Sequence, residues 1–257
     1  MEDIPFTERV NRLSGSLDGG LASTEFAAVL QGCEDQIFSG YDENQKGLSN
    51  HEVISQIERV AKECGHIIGP ESGAPGLVVF TGCGTSGRIA YLVSNRYKSF
   101  YKHPLFTYAC AGGDSALLLS DELPEDDPAL GRDDLSDVFK RGLTGKQGYV
   151  VGVTCGLSAP YVAGQIIAAM KSSSDRHEHF TNNPWHVRSL TGVGVGAACV
   201  GFNPVQYSRE IPLKNLHMID EKSSCKTFKD VMEMLEKKSK LEAREIVMGG
   251  GVQPMHG

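Results

Sequence analysis

The chain has 257 residues, with 25 Lys and Arg against 32 Asp and Glu and a formal charge of −7, enough for one large domain or two small ones. A hydrophobic content of 40% with 22% charged residues is ordinary globular composition and argues against a disordered, collagen-like or coiled-coil chain. No run approaches the roughly 18 apolar residues of a membrane span, Met1 to Phe6 hold two acids and no apolar signal core, and no basic cluster offers a surface for nucleic acid or an anionic membrane. A soluble intracellular protein is expected, able to hold small anions locally. Seven single cysteines (Cys33, Cys64, Cys83, Cys110, Cys155, Cys199 and Cys225), without a CxxC pair, read as reduced thiols packed as small hydrophobes. His177, His179 and His186 crowd the segment DRHEHFTNNPWH, but without zinc-site spacing, so no metal is expected there.

Residues 1–20 are polar and show neither the helical nor the strand period, as in a docking arm. From Ser23, read as an N-cap, Phe26, Val29, Leu30, Cys33 and Ile37 recur at helical spacing, and Asn50 opens a second run with Val53, Ile54, Ile57, Val60, Ala61 and Cys64. GYDENQKG joins the two as a polar turn. IGPESGAPG then breaks any helix, because Pro70 and Pro75 lack N–H donors, and a new unit begins at Leu77.

That unit repeats a strand, a glycine-rich turn and a helix. Leu77 to Thr81 predicts a strand, Gly82 to Gly87 a turn, and Ser86 to Lys98 a helix; Leu105 to Cys110 predicts a second strand, ending at Ala111, Gly112 and Gly113. An acidic segment leads to a helix near Leu135 to Arg141, then a strand at Tyr149 to Val153, a turn at Cys155 and Gly156, a helix from Ser158 to Met170 and a strand at Ala197 to Phe202. Lys226 to Val247 reads as one long charged helix striped by Phe228, Val231, Met234, Leu235 and Leu241, before a glycine-rich tail. Continuous apolar strands alternating with helices predict an α/β fold whose parallel sheet is covered on both faces, with ligands at the carboxyl ends of the strands. The expected organisation is an N-terminal arm and helices over 1–76, an α/β domain over 77–248 and a tail over 249–257.

Two turns carry candidate chemistry. In GCGTSGR, Gly82, Gly84 and Gly87 permit close backbone approach, Thr85 and Ser86 supply hydroxyls, and the following helix start presents unpaired N–H groups, the physics of a phosphate cradle. It lacks the lysine of a Walker A loop, and a glycine-rich turn capped by serine would read the same way. TCGLSAP repeats the design one strand later with Thr154, Gly156 and Ser158. Glu122 and Glu125 stand in the acidic stretch between the turns. Carboxylates beside a phosphate loop repel the ligand unless they accept sugar hydroxyls, which suggests a polyol phosphate; a solvated acidic loop is the plainer alternative.

The segments GCGTSGR, CAGGDSALLLSDELPEDDPALG, VVGVTCGLSAPYVAGQ and VGFNP, with TERVNRLSGSLD upstream, resemble the first sugar isomerase (SIS) domain of the glucokinase regulatory protein family and its relatives, the N-acetylmuramic acid 6-phosphate etherases. The resemblance runs from about Thr7 to Arg244. It implies an SIS-type three-layer sandwich with a five-stranded parallel sheet that binds a phosphorylated sugar without a cofactor. By the same resemblance, Gly84, Thr85 and Ser86 meet the phosphate, Glu122 and Glu125 meet sugar hydroxyls, and Thr154, Gly156 and Ser158 form the second phosphate loop, with Thr154 where the family has serine.

In the etherases a glutamate on the helix after GTSGR works as general acid or base, and ungapped alignment places Arg96 there, a residue that stays protonated near neutrality and cannot take that role. No catalytic residue is therefore assigned. The resemblance implies a noncatalytic sensor of fructose 6-phosphate or fructose 1-phosphate that inhibits glucokinase, in cytoplasm and nucleus, with a lyase releasing D-lactate as the alternative. It also implies that the relatives continue into a second SIS domain and a helical cap, so this chain alone is expected to keep the phosphate cradle, lose sugar selectivity and expose an apolar interdomain face. The polar stretch 172–196 is longer than the family's.

Overall fold

In the computed structural model the described residues are 9–20, 22–42, 45–69, 74–101, 104–119, 123–142, 147–174, 194–208, 210–214, 225–242 and 246–249. The continuous apolar run Leu77–Gly82 (β3) lies inside a parallel sheet, flanked by Phe106–Cys110 (β4) on one side and Gln147–Val153 (β5) on the other. Gly194–Gly201 (β6) pairs with β5, and Ile246–Gly249 (β7) completes the order β4-β3-β5-β6-β7. All five strands are parallel, as the resemblance implies.

Strand alternation divides the apolar side chains between two layers. Leu77, Val79, Val150, Ala197 and Cys199 pack against Pro128–Gly142 (α4), Pro160–Ser174 (α5) and Phe228–Glu242 (α6), through Leu135, Phe139, Ile166, Val231 and Leu235 among others. Val78, Phe80, Tyr149 and Ala198 face the other way, toward Val60, Cys64 and Ile67 of His51–Ile68 (α2). Tyr97 of Gly84–Tyr101 (α3) stacks on Phe80 and Phe106 of that same face. The result is a three-layer sandwich, with burial lifting the Cys64 thiol to about 12. The seven cysteines are all free.

Several boundaries differ from the sequence reading. The helices expected from Leu135 and Ser158 start at Pro128 and Pro160, because proline suits the first helical position, where its missing N–H is no loss. Asp127 caps the first of them, its Oδ1 accepting from the N–H groups of Ala129 at 2.8 Å and Leu130 at 3.1 Å. Asn50 caps α2 as read, accepting from Glu52 N–H. Ser23 is instead the first helical residue of Ser23–Ser39 (α1), and the Glu25 carboxylate accepts from the Ala22 N–H at 2.9 Å.

The polar turn GYDENQKG holds a small antiparallel hairpin of Gly40–Asp42 (β1) and Gln45–Lys46 (β2), tied to α2 by an ion pair between Lys46 and Glu52. At the C-terminal side, the long helix read over 226–247 stops at Glu242, and residues from 246 run as a strand beside β6. The β-branched pair Ile246 and Val247 takes the open edge of the sheet, a tertiary pairing that a helical period in one window cannot register. The three histidines of the polar segment lie outside the described residues.

α4 and α5 touch backbone to backbone. A Cβ on Gly164 would overlap the Pro128 carbonyl, and one on Gly131 would overlap that of Tyr161. Gly164→Ala is therefore expected to cost about 3 kcal/mol or more, since backbone cannot yield as a side-chain tip can; urea unfolding measures it. A second prediction concerns α6. Partial burial raises the Asp230 carboxyl, but hydrogen bonds from the Lys226 and Thr227 N–H groups and the Thr227 hydroxyl outweigh it and hold the value below the usual range. That stabilisation is present at neutral pH and is lost as pH falls through the folded-state value. The stability gap between wild type and Asp230→Asn should thus narrow on acidification below the ordinary carboxylate range.

Candidate functional site

β3 ends at Gly82, and α3 starts two residues later at Gly84, whose φ of +50° is the left-handed backbone glycine allows. A Cβ on Gly82 would stand 2.9 Å from both the Gly87 nitrogen and the Ser86 Cβ, and one on Gly87 would run into the Cys110 Sγ. These glycines let the first turn of α3 lie directly on the ends of β3 and β4. The N–H groups of Gly84, Thr85 and Ser86 precede the helix's own hydrogen-bond ladder, which opens with Gly87 N–H donating to the Cys83 carbonyl at 3.1 Å. Thr85 is exposed and Ser86 half-buried, so hydroxyls and the positive end of the helix dipole are reachable from solvent.

The second turn follows β5. Thr154 is buried at 4% exposure, and its Oγ1 accepts from the Ser158 N–H at 3.4 Å, while the Leu157 N–H donates to the Thr154 carbonyl at 3.2 Å. Leu157 is held at φ +51°, the left-handed region a leucine normally avoids, with its side chain fully buried as the anchor. Thr154 therefore shapes the loop, and Ser158, half-buried, is the more accessible hydroxyl.

The sheet register brings the two turns together: Gly82 and Val153, the last residues of β3 and β5, are direct partners. Glu125 comes to the same place from a short 3-10 helix, Leu123–Asp126; its Oε1 lies 3.2 Å from where a Cβ of Gly84 would be. Burial raises the Cys83 and Cys110 thiols, and the Glu125 charge raises both further, as a carboxylate over the α3 start should. Of the eight site residues read from sequence, Gly84, Thr85, Ser86 and Glu125 meet at one turn and Thr154, Gly156 and Ser158 at the next; Glu122 lies outside the described residues. The AGGD turn between them places Gly112 and Gly113 at positive φ, and its Asp114 accepts from the Tyr108 hydroxyl at 2.6 Å.

Asn203 was not singled out by sequence. It is fully buried, and its Nδ2 donates to the Gly156 carbonyl at 3.0 Å, bracing the second loop from the end of β6. The Asn-Pro pair at 203–204 signals a turn and nothing more. Thr81, buried beneath the first turn, donates to Gln165 Oε1 at 2.6 Å. A groove of about 390 Å³ runs instead along the outer side of β4, lined by Thr107, Ala109, Asp134, Arg141 and Tyr161 among others, and includes none of the eight residues. Burial raises the Asp134 carboxyl there, against the Tyr161 hydroxyl that donates to it. Among the described residues no cluster of His, Cys, Asp and Glu could hold a metal ion, and no helix is long and apolar enough to cross a membrane.

Residues 52–170 match the family model described as the glucokinase regulatory protein N-terminal SIS domain. With the three-layer architecture and the paired strand-end turns, this makes the chain an SIS-domain protein. Within that class it resembles the glucokinase regulatory proteins over nearly all of its length: it is 31% identical to that of Xenopus laevis over 243 residues and 33% identical to that of Homo sapiens over 244, covering 91% of this chain in each case. It spans only 34% and 33% of the length of those two relatives. An N-acetylmuramic acid 6-phosphate etherase of Pectobacterium atrosepticum is 33% identical over 125 residues, 48% of this chain and 40% of the relative.

Proposed function

We propose that this protein is a noncatalytic regulatory domain that binds a phosphorylated sugar, of the fructose 6-phosphate or fructose 1-phosphate class, across the α3 start and the Thr154–Ser158 loop. In this reading the bound state serves to inhibit a glucokinase-type hexose kinase. The observation that carries the reading is the pairing of Gly82 with Val153, which sets two hydroxyl- and glycine-lined turns side by side at adjacent strand ends. Similarity to the glucokinase regulatory proteins over 91% of the chain supports the regulatory role, and Arg96, exposed on α3, offers no general acid or base.

Phosphate oxygens accept from the α3 N–H groups and from Ser86 and Ser158, while Glu125 accepts a hydroxyl from the sugar. Glu125 thereby sets selectivity, because a carboxylate beside the cradle repels a bare anion and is compensated only by a ligand that brings a hydroxyl. The outward face of α3 exposes Ile89, Leu92 and Phe100, and the strand-end loops expose Leu118, Leu119 and Leu123. This apolar surface beside the cradle is where a further lobe would close the pocket.

Calorimetric titration with fructose 1-phosphate and fructose 6-phosphate tests the reading. Ser86→Ala and Ser158→Ala should each weaken binding roughly tenfold or more, the worth of a charge-assisted hydrogen bond of about 1.5–3 kcal/mol. Unchanged affinity in both variants, with the fold intact, removes the cradle assignment. Glu125→Ala should lower the ratio of sugar-phosphate to inorganic-phosphate affinity by about tenfold or more, since it removes a hydroxyl acceptor from one ligand and a repulsion from both. Robust D-lactate release from N-acetylmuramic acid 6-phosphate would replace the sensor by a lyase.

A further inference from the structure

We infer that Gln45, in the hairpin that precedes the sheet, is a positioning residue for the second anion loop and acts through the Phe202–Asn203 peptide. Gln45 sits in a strand of two residues, yet it is 1% exposed, and its Nε2 donates to the Phe202 carbonyl at 2.6 Å. Burying the amide Nε2 is unfavourable unless it finds an acceptor, so this bond fixes where the hairpin docks. The same stretch of chain braces the loop after β5. The Phe202 N–H donates to the Cys155 carbonyl at 2.9 Å, and Asn203 Nδ2 donates to the Gly156 carbonyl at 3.0 Å. Gly201 lies flat on the loop, since a Cβ there would stand 2.7 Å from the Thr154 carbonyl oxygen.

The Phe202–Asn203 peptide is therefore held from both sides, by Gln45 through its oxygen and by the loop through its neighbouring N–H and side-chain donors. Gln45 has a firm base to pull from. The Leu48 and Ser49 N–H groups donate to the Ile37 and Phe38 carbonyls at the end of α1, and a Cβ on Gly47 would overlap the Phe38 carbonyl. The N-terminal arm reaches the stretch that follows Asn203, with the Arg9 guanidinium 4.7 Å above the Tyr207 ring. Leu157, strained at positive φ within the braced loop, relies on this support to stay in place. The geometric part of the inference stands on these bonds alone, and its consequence for ligand binding rests on the proposed phosphate role of the loop.

The test is Gln45→Met, which keeps the length and volume of the side chain and removes the donor, with Asn203→Ala as the second member of a double-mutant cycle. Amide hydrogen exchange should accelerate roughly tenfold or more over residues 154–158 in each single variant, without change in β3, and the double variant should exceed the larger single effect by little. Fructose 1-phosphate affinity should fall in parallel. Three results overturn the proposal: unchanged exchange at 154–158 in a folded Gln45→Met protein, an increase spread evenly over the sheet, or strict additivity of the two substitutions. Should Gln45→Met fail to fold, the wild type decides. The Gln45 side-chain NH2 protons should then exchange as slowly as the Leu157 amide, and fast exchange contradicts the assignment. A wild type that binds no phosphate monoester removes the functional reading and leaves the exchange comparison to judge the positioning.

Discussion

Everything at the site depends on one reversal of the chain between neighbouring strands. From β3 the chain passes outward to β4, and α4 then carries it back to β5 on the opposite side of β3. Successive connections leaving in opposite directions open a crevice at the carboxyl ends of the two central strands, the place where open parallel sheets bind ligands. The register partners Gly82 and Val153 define its floor. Had β5 been added beyond β4, the two glycine turns would stand a strand apart, and no single phosphate could touch both.

Close backbone approach turns this topology into a site. Glycines at 82, 84 and 87 bring the start of α3 down onto the strand ends, and glycines at 131 and 164 bring α4 and α5 together. The second approach has a remote effect: Pro128, in contact with Gly164, begins α4 immediately after the 3-10 segment that carries Glu125. The crossing of two helices thus fixes where a carboxylate stands over the start of a third. The second loop, which leads into α5, is built differently, with a buried Thr154 hydroxyl, a strained Leu157 and a brace from Asn203 just beyond β6.

Much of this was legible in the sequence because short apolar runs bounded by glycine report buried parallel strands directly. The runs at 77–81, 105–110 and 149–153 and both glycine-hydroxyl turns are examples. Two kinds of feature were not. The helix start at Pro128 lies seven residues before the first one the periodicity predicts, since apolar spacing weakens in a first turn that proline and a capping aspartate hold in place, and the start at Pro160 lies two residues after the predicted Ser158. The strand at Ile246–Gly249 and the braces from Gln45 and Asn203 depend on partners far away in sequence, Ala198 to Gly201, Phe202 and Gly156, which no local pattern encodes. Thr154 shows the same limit within the site: its place after β5 is legible in the sequence, and only the structure shows its hydroxyl engaged by the Ser158 N–H.

In the proposed function one ligand engages both strand-end turns at once. Backbone amide NMR during a titration with fructose 1-phosphate tests it most directly, because Gly84 to Gly87 and Gly156 to Ser158 report on the two turns separately. Both sets of amides are expected to shift together along a single binding curve, with those of β7 and α6 unmoved. Shifts confined to one turn, two curves with different midpoints, or a response centred on the groove beside β4 would contradict it.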